Sequence, residues 1–377
     1  MARIRTPLSD RLGLRYPIVC APMFLLSNKE MIVACAEAGI LGTMPSLNLR
    51  TREEFRAALE WIRARTDRPF GINLTIKLTD PERLMHDLET CLEFKVPVII
   101  TSYGNPSELA RRAHAAGAVV FHDVIHLKHA LKAQESGADG IIGVAAGAGG
   151  HAGTTSPFVL YPYLRENLKV PVIAAGCIAT GRQVASALAL GAELAYMGTR
   201  FIASTECGAE QAYKEAVING SPESIVYTDS VSGVHANFLR DTVPGYEPAD
   251  RAAAQKDVQQ GGGKKWKDIW SAGQGIALAK EIKPIGAIVE EIVREYVDAR
   301  SSLPAFEDLP RPGGPAGYPG GPGAAEDDKV AAPCCPPRPP RAPPPGHLRG
   351  FVSTSWPSSC AVPPRMGSAW KSARSGP

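Results

Sequence analysis

The sequence lacks any apolar run of about 18 residues, the minimum for a membrane-spanning helix, and we therefore expect no membrane association. It also lacks a secretion signal, because Met1 to Arg5 lead into a polar stretch without an apolar core. A cytoplasmic location is the resulting expectation. Hydrophobic residues make up 44% and charged residues 21% of the chain, which is typical of a globular protein with a sizeable core.

The eight cysteines lack the paired spacing of a metal site. His122, His126 and His129 lie close together in the sequence, but no further Cys or Glu accompanies them at a suitable spacing, so we expect no bound metal. Reduced, unpaired thiols are expected for the five cysteines in or beside apolar segments, which are Cys20, Cys35, Cys91, Cys177 and Cys207.

Acidic residues are absent from residues 329–377, which hold seven of the 41 Lys and Arg residues. Residues 1–328 therefore contain the other 34 cations and all 38 anions, a net charge of −4. Because nucleic-acid binding needs a basic face, we expect no nucleic-acid partner for this part. Clustered prolines lack amide hydrogens, so residues 303–377 are expected to be a disordered, Pro-rich basic tail. It is a polyproline ligand, a weak tether to an anionic surface, or an extension without a role.

Residues 1–205 alternate short apolar runs with helical segments. Continuous apolar runs are typical of strands buried on both faces of a parallel sheet. Capping boxes are predicted at Ser27, Thr51 and Thr180. Eight such units favour an α/β fold, a (β/α)8 TIM barrel, with an open doubly wound sheet as the alternative. The runs are Ile18–Ala21, Leu41–Met44, Phe70–Leu74, Val98–Ser102, Val119–His122, Gly140–Ala145, Val172–Ala175 and Leu194–Met197.

His151 stands in a glycine-rich loop, residues 147–153, directly behind the sixth apolar run. An imidazole has a reference pKa near neutrality and is a natural proton carrier, and the glycines let a flat ligand approach the backbone. This pattern predicts an active-site loop. A flexible turn with an exposed histidine is the alternative.

Small residues follow the seventh and eighth runs, where barrels commonly bind phosphate. Gly176-Cys177 and Gly198-Thr199 could offer backbone amides, and Arg200 could add charge or instead form a surface ion pair. At the other strand ends, Asn73 and Asp123 could hydrogen-bond a heterocycle. Ala21, Pro22 and Met23 could provide apolar contact.

The motifs Gly149-Gly150-His151-Ala152-Gly153, Pro171 to Gly176, Leu190 to Phe201 and Trp270 to Gly275 resemble the nitronate monooxygenase family, over about residues 5–300. This group of FMN-dependent barrels also holds a flavin-dependent enoyl-acyl-carrier-protein reductase and a NADH:quinone reductase. The resemblance implies a catalytic role for His151 and FMN at the mouth of the barrel. It implies the following FMN-binding residues: Ala21, Pro22, Met23, Asn73, Asp123, Gly149, Gly150, Gly176, Cys177, Tyr196, Met197, Gly198, Thr199 and Gln274.

The family organisation also implies a small inserted domain over the flavin. The expected division is a barrel at 1–205, a small lid or substrate domain at 206–265 and a returning segment at 266–302, whose closing helix runs from about Ile276 to Ala299. Three positions depart from the family pattern: Val144 replaces a glutamine, Cys177 a glycine, and Asp123 a lysine of the reductase relatives.

The resemblance implies oxidation of small nitronates or nitroalkanes by O2 to a carbonyl compound and nitrite, with His151 removing the α-proton or orienting the substrate. Two alternatives stay open: a NAD(P)H-dependent flavin reductase of quinones or enoyl thioesters, and a barrel that binds a phosphorylated ligand without turnover. A homodimer is compatible with the sequence.

Overall fold

The computed structural model describes residues 3–244 and 268–304. These residues belong to one compact unit. Residues 245–265 of the expected lid and residues 305–377 of the expected tail lie outside the described residues. Within the described part, no helix is both long and apolar enough to cross a membrane. The expected division at 205, 265 and 302 stays a prediction.

Eight parallel strands close into a barrel, which confirms the predicted α/β fold. The ring closes between the first and last of these strands, where Val19 lies opposite Tyr196. Each predicted run forms a strand, and the bounds differ by at most two residues. The barrel strands are β1 (Ile18–Cys20), β2 (Leu41–Pro45), β3 (Phe70–Thr75), β4 (Val98–Ser102), β5 (Val119–Val124), β6 (Gly140–Val144), β8 (Val172–Ala175) and β9 (Leu194–Met197).

Helices connect and cover the strands, as right-handed βαβ units require. Three short 3₁₀ segments that lie among them are Ser46–Asn48, Pro222–Ser224 and Arg240–Thr242. The helices are α1 (Pro7–Arg11), α2 (Lys29–Ala38), α3 (Arg52–Arg63), α4 (Pro81–Glu93), α5 (Ser107–Ala115), α6 (Leu127–Glu135), α7 (Pro157–Asn167), α8 (Gly181–Ala189), α9 (Thr199–Ile202), α10 (Gln211–Asn219) and α11 (Ile285–Ser301).

The inside of the barrel is filled by apolar side chains, including Val19, Ile100 and Phe121. Leu8 and Leu12 from the segment of α1 join this cluster and pack with residues at the start of the strands, such as Leu41. The amino-terminal end of the barrel is therefore covered. In this architecture, chemistry takes place at the opposite, carboxyl end.

Two of the three predicted capping boxes form. The Thr51 and Thr180 hydroxyls each accept the amide N–H three residues on, and the side chains of Glu54 and Gln183 return the contact. The box predicted at Ser27 is wrong. Asn28 caps α2 instead, because the Ser27 hydroxyl is engaged in accepting the Met23 amide N–H at 2.9 Å.

A second, three-stranded sheet lies beside the barrel. It comprises β7 (Gly150–His151), β10 (Ile225–Thr228) and β11 (Ala236–Leu239), with β11 in the centre. The predicted start of the closing helix, at about Ile276, is wrong. Residues Gln274–Leu278 form a 3₁₀ helix, and α11 begins only at Ile285 because Pro284 is its N-cap and cannot continue a preceding helix.

Candidate active site

The residues expected to form the site come together at the carboxyl end of the barrel. The Ala21 amide donates to the Met197 carbonyl at 2.9 Å, so the turns after β1 and β9 are adjacent. A Cβ at Gly198 would lie 3.7 Å from the Met23 sulfur. Pro22 lies between Ala21 and Met23 in the sequence and is half-buried. Tyr196, in β9, is also half-buried. Burial and then the charge of Asp123 raise the pKa of the Tyr196 phenol.

A hydrogen-bonded chain of polar side chains crosses three neighbouring strand ends. The Asn73 amide donates to the Ser102 hydroxyl at 2.9 Å, and that hydroxyl donates to Asp123 Oδ2 at 2.6 Å. Asp123 Oδ1 is buried and has no hydrogen-bond partner among the described residues. Burial raises the pKa of Asp123 to about 6, against the opposing effect of the Ser102 hydrogen bond. A buried acceptor of this kind is suited to a donor on a bound ligand.

His151 is held by the second sheet rather than by a free loop. Its backbone pairs with Ala236 of β11, and its Nε2 lies 3.2 Å from the Ser232 hydroxyl. The Tyr103 ring lies almost perpendicular to the imidazole, at 79°, with the centroids 5.3 Å apart. Burial lowers the pKa of His151, so the ring is neutral at pH 7. A neutral imidazole can accept a proton.

Two loops approach so closely that only glycine fits. A Cβ on Gly149 would lie 2.9 Å from the Gly273 nitrogen, and a Cβ on Gly273 would lie 2.6 Å from the Gly147 carbonyl oxygen. The Gln274 amide donates to that same carbonyl at 2.9 Å, and the Gly273 amide donates to the Thr199 hydroxyl at 2.9 Å. The returning segment is therefore tied both to the His151 loop and to the end of β9.

The turn after β8 has an unusual backbone. Gly176 has φ +117° and Cys177 has φ +57°, a left-handed conformation that disfavours a side chain. The Cys177 thiol lies 3.3 Å from the Ala146 carbonyl oxygen, to which it donates. Burial raises the pKa of this thiol, which is therefore protonated at pH 7. The Cys177 side chain is therefore bonded within the protein and does not extend away from the turn.

Arg200 was considered as a charged donor for a phosphate at the turn after β9, but its guanidinium is bonded elsewhere. Its guanidinium donates to Glu291 of α11 at 3.1 Å, and the side chain is buried. The alternative ion pair thus forms, but inside the molecule rather than on its surface.

Sequence reasoning missed two groups next to His151. Tyr103 directly follows Ser102 at a strand end, a position that marks it as a candidate in a barrel. Ser232 lies 81 residues from His151, within the lid expected at 206–265, but nothing in the sequence identified it as a contact of His151. The buried Asn237 was also missed as a structural element of the site; its amide donates to the Ala148 carbonyl at 2.6 Å and fixes the His151 loop.

The fold and the site together define a (β/α)8 barrel with a neutral histidine and glycine-lined turns at its carboxyl end. The nitronate monooxygenase family model matches residues 5–295, and the chain belongs to this flavin-dependent family. The resemblance drawn from the sequence motifs is thereby confirmed.

Three similar proteins differ in their named activities. A (3aS,4S,5R,7aS)-5-hydroxy-7a-methyl-1-oxo-octahydro-1H-indene-4-carboxyl-CoA dehydrogenase of Mycobacterium tuberculosis is 32% identical, over 74% of this chain and 81% of its own. The structure of FabK from Thermotoga maritima aligns with a TM-score of 0.70 and 32% identity, covering 80% of this chain and 98% of its own. A nitroalkane oxidase from Streptomyces ansochromogenes aligns with a TM-score of 0.67 and 27% identity, covering 79% and 100%.

Proposed function

We propose that the protein catalyses the FMN-dependent oxidation of alkyl nitronates, and of nitroalkanes, by O2 to a carbonyl compound and nitrite. The neutral, half-buried His151 at the mouth of the barrel is the observation that carries the proposal. Membership of the nitronate monooxygenase family and the likeness to a nitroalkane oxidase support it.

The residues at the carboxyl end of the barrel fit FMN. A flat heterocycle needs close backbone approach, which Gly149 and Gly150 allow, and polar partners at its edge, which Asn73 and the unpartnered Asp123 Oδ1 supply. Glycine-containing turns leave space and backbone amides for a phosphate. The proposed contacts are Ala21, Pro22, Met23, Asn73, Asp123, Gly149, Gly150, Tyr196, Met197 and Gln274 for the ring and its side chain, and Gly176, Cys177, Gly198 and Thr199 for the phosphate.

When bound, FMN supplies the two-electron chemistry, and the chain supplies position and proton transfer. The Ser232 hydroxyl donates to the Val234 carbonyl at 3.1 Å, so it accepts from His151 Nε2–H. A neutral imidazole carries a lone pair on one of its two ring nitrogens, and in this proposal His151 uses it to remove the α-proton of a nitroalkane. With a nitronate, which has already lost this proton, His151 orients the substrate.

Substitution of His151 tests this role. We expect His151→Ala to lower kcat/KM for a nitroalkane about 10²- to 10⁴-fold, the usual contribution of a general base, and to lower it far less for the matching nitronate. Nitrite release under air is the measurement, with His126→Ala on an exposed histidine as the control. An equal loss on both substrates would contradict proton abstraction.

A second candidate is a flavin-dependent oxidoreductase of CoA or other acyl thioesters, including a NAD(P)H-dependent reductase. It is favoured by the identity of 32% to the M. tuberculosis dehydrogenase, compared with 27% to the nitroalkane oxidase. Anaerobic mixing separates the candidates. Bleaching of the bound flavin by a nitronate supports the proposed function, whereas bleaching by NAD(P)H alone supports the reductase. A flavin-free preparation would instead favour a binding barrel without turnover.

A further inference from the structure

Tyr103 has a backbone conformation that is costly for its side chain. It follows the last residue of β4 and has φ +56°, in the left-handed region that bulky residues avoid. Such conformations persist only where the surrounding structure imposes them, and they concentrate at functional sites. The position of this residue, at the carboxyl end of a barrel strand, is where catalytic groups lie in this fold.

The turn around Tyr103 is held by three contacts from the segment after β3. The Ile76 amide donates to the Ser102 carbonyl at 2.9 Å, and the Lys77 amide donates to the Tyr103 carbonyl at 3.0 Å. The Ile76 side chain packs where a Cβ of Gly104 would stand, 2.6 Å away. The direction of the Tyr103 side chain is therefore imposed by its surroundings.

The phenol of Tyr103 faces two groups of the candidate site. Its ring packs against His151, and burial together with the nearby charge of Asp123 raises its pKa to about 12. The hydroxyl consequently keeps its proton throughout the working pH range and can donate it. The side chain is 37% exposed, and no hydrogen-bond partner for its hydroxyl occurs within residues 3–244 and 268–304.

We propose that the Tyr103 hydroxyl binds the substrate by donating a hydrogen bond to an oxygen of the nitronate or nitro group whose α-carbon lies beside His151. This inference rests on the proposed function for the identity of the substrate. It assigns to the site a preference for a planar group with two oxygens next to the reacting carbon. Tyr103 is thus a substrate-binding residue that places the α-carbon against the imidazole.

A carboxylate tests the inference separately from turnover, because propionate has the same planar pair of oxygens as a nitronate and does not react. We would titrate the oxidised holoenzyme with propionate and follow the flavin absorbance. A hydrogen bond to a charged group is typically worth a factor of about 10 to 100 in affinity. We therefore expect Tyr103→Phe to raise the Kd of propionate by about 10- to 100-fold.

The variant keeps the aromatic ring, and therefore the packing against His151 and the backbone constraint. Tyr163→Phe, on the exposed surface of α7, is the matched control and should leave the Kd unchanged. With a nitronate as substrate, Tyr103→Phe should raise KM by a similar factor and alter kcat much less. A purely structural role would instead lower thermal stability without this split between KM and kcat.

The two proposals fail in different ways. An unchanged propionate Kd in Tyr103→Phe, or no propionate binding by the wild-type holoenzyme, overturns the role of Tyr103 whether or not nitronates are oxidised. A wild-type protein that fails to oxidise nitronates but binds propionate through Tyr103 retains the oxygen-binding site and overturns only the proposed function.

Discussion

Asp123 shows how a single residue can be costly for folding and useful for binding. Its Oδ2 is satisfied by the Ser102 hydroxyl, whereas its buried Oδ1 has no partner among the described residues. The pKa of this carboxyl is raised to about 6 by burial, so the folded protein holds the proton more tightly than the unfolded chain does. Ionisation of Asp123 therefore opposes folding as pH rises from about 4 to 6.

We predict that Asp123→Asn stabilises the protein at high pH. At pH 8 both states of the wild-type protein have an ionised Asp123, and the variant should gain about 2 kcal/mol in the free energy of unfolding. At pH 4, where the folded wild-type carboxyl is protonated, most of this gain should disappear. Urea denaturation at the two pH values is the measurement.

Asp67→Asn is the control, because Asp67 is exposed and its replacement should change the free energy by less than about 0.5 kcal/mol at both pH values. An equal gain for Asp123→Asn at pH 4 and pH 8 would show that the charge of Asp123 is not the cause.

At the scale of elements, α8 depends on α11 for its first turn. The Gly181 amide at the start of α8 donates to Glu295 of α11 at 2.6 Å, in addition to the capping box of Thr180 and Gln183. The first amides of a helix have no partner within the helix, and here the other helix supplies one. The α8 helix follows the proposed phosphate turn, so this packing also positions the turn.

We predict that Gly181→Ala is strongly destabilising. The added Cβ would overlap the Ile292 carbonyl and the Tyr296 amide nitrogen of α11, so the two helices must separate. The expected loss in the free energy of unfolding is about 3 kcal/mol, measured by thermal or urea denaturation.

Gly286→Ala in α11 is the matched control, because a Cβ there meets no atom within 4 Å. It should be neutral or stabilising by up to about 1 kcal/mol. Similar losses in the two variants would refute the tight contact between α8 and α11.

Local patterns predicted those elements whose cause is local. The β8 strand was predicted at its observed bounds, and the boxes at Thr51 and Thr180 formed as expected. The differences arose from contacts that the repeating pattern does not contain. Asn28 caps α2 because the Ser27 hydroxyl accepts the Met23 amide, a local bond, whereas β7 exists only because β11, some 85 residues further along, pairs with it. The position of Tyr103 directly after β4 was a usable signal, but its left-handed backbone is held by hydrogen bonds from Ile76 and Lys77 and could not be predicted locally.

At the scale of the whole molecule, closure of the barrel brings the residues of the candidate site together. Strand ends that are far apart in the sequence become neighbours because the ring closes between β1 and β9. The eight apolar runs were therefore enough to predict which turns lie together. The contact of His151 with Ser232 depends on a segment outside this repeating pattern. The late start of α11 has a local cause, Pro284, which the expected helix from Ile276 did not take into account.

We predict that the segment beyond α11 is dispensable for the reaction. The described candidate groups all lie within residues 3–304, so a chain ending at Pro304 should bind flavin and keep kcat/KM for a nitronate within about two-fold, less than about 0.5 kcal/mol in activation free energy. The flavin spectrum and nitrite release are the measurements. A loss of bound flavin on truncation would show that residues 305–377 contribute to the site.

The contact of Gly273 and Gln274 with the Gly147 carbonyl has a consequence for biosynthesis. All eight strands of the barrel are synthesised well before this returning segment. A nascent chain that stops short of residue 273 therefore lacks the two hydrogen bonds that tie the His151 loop to the end of β9, and we expect it to bind the proposed cofactor only after this segment has been synthesised.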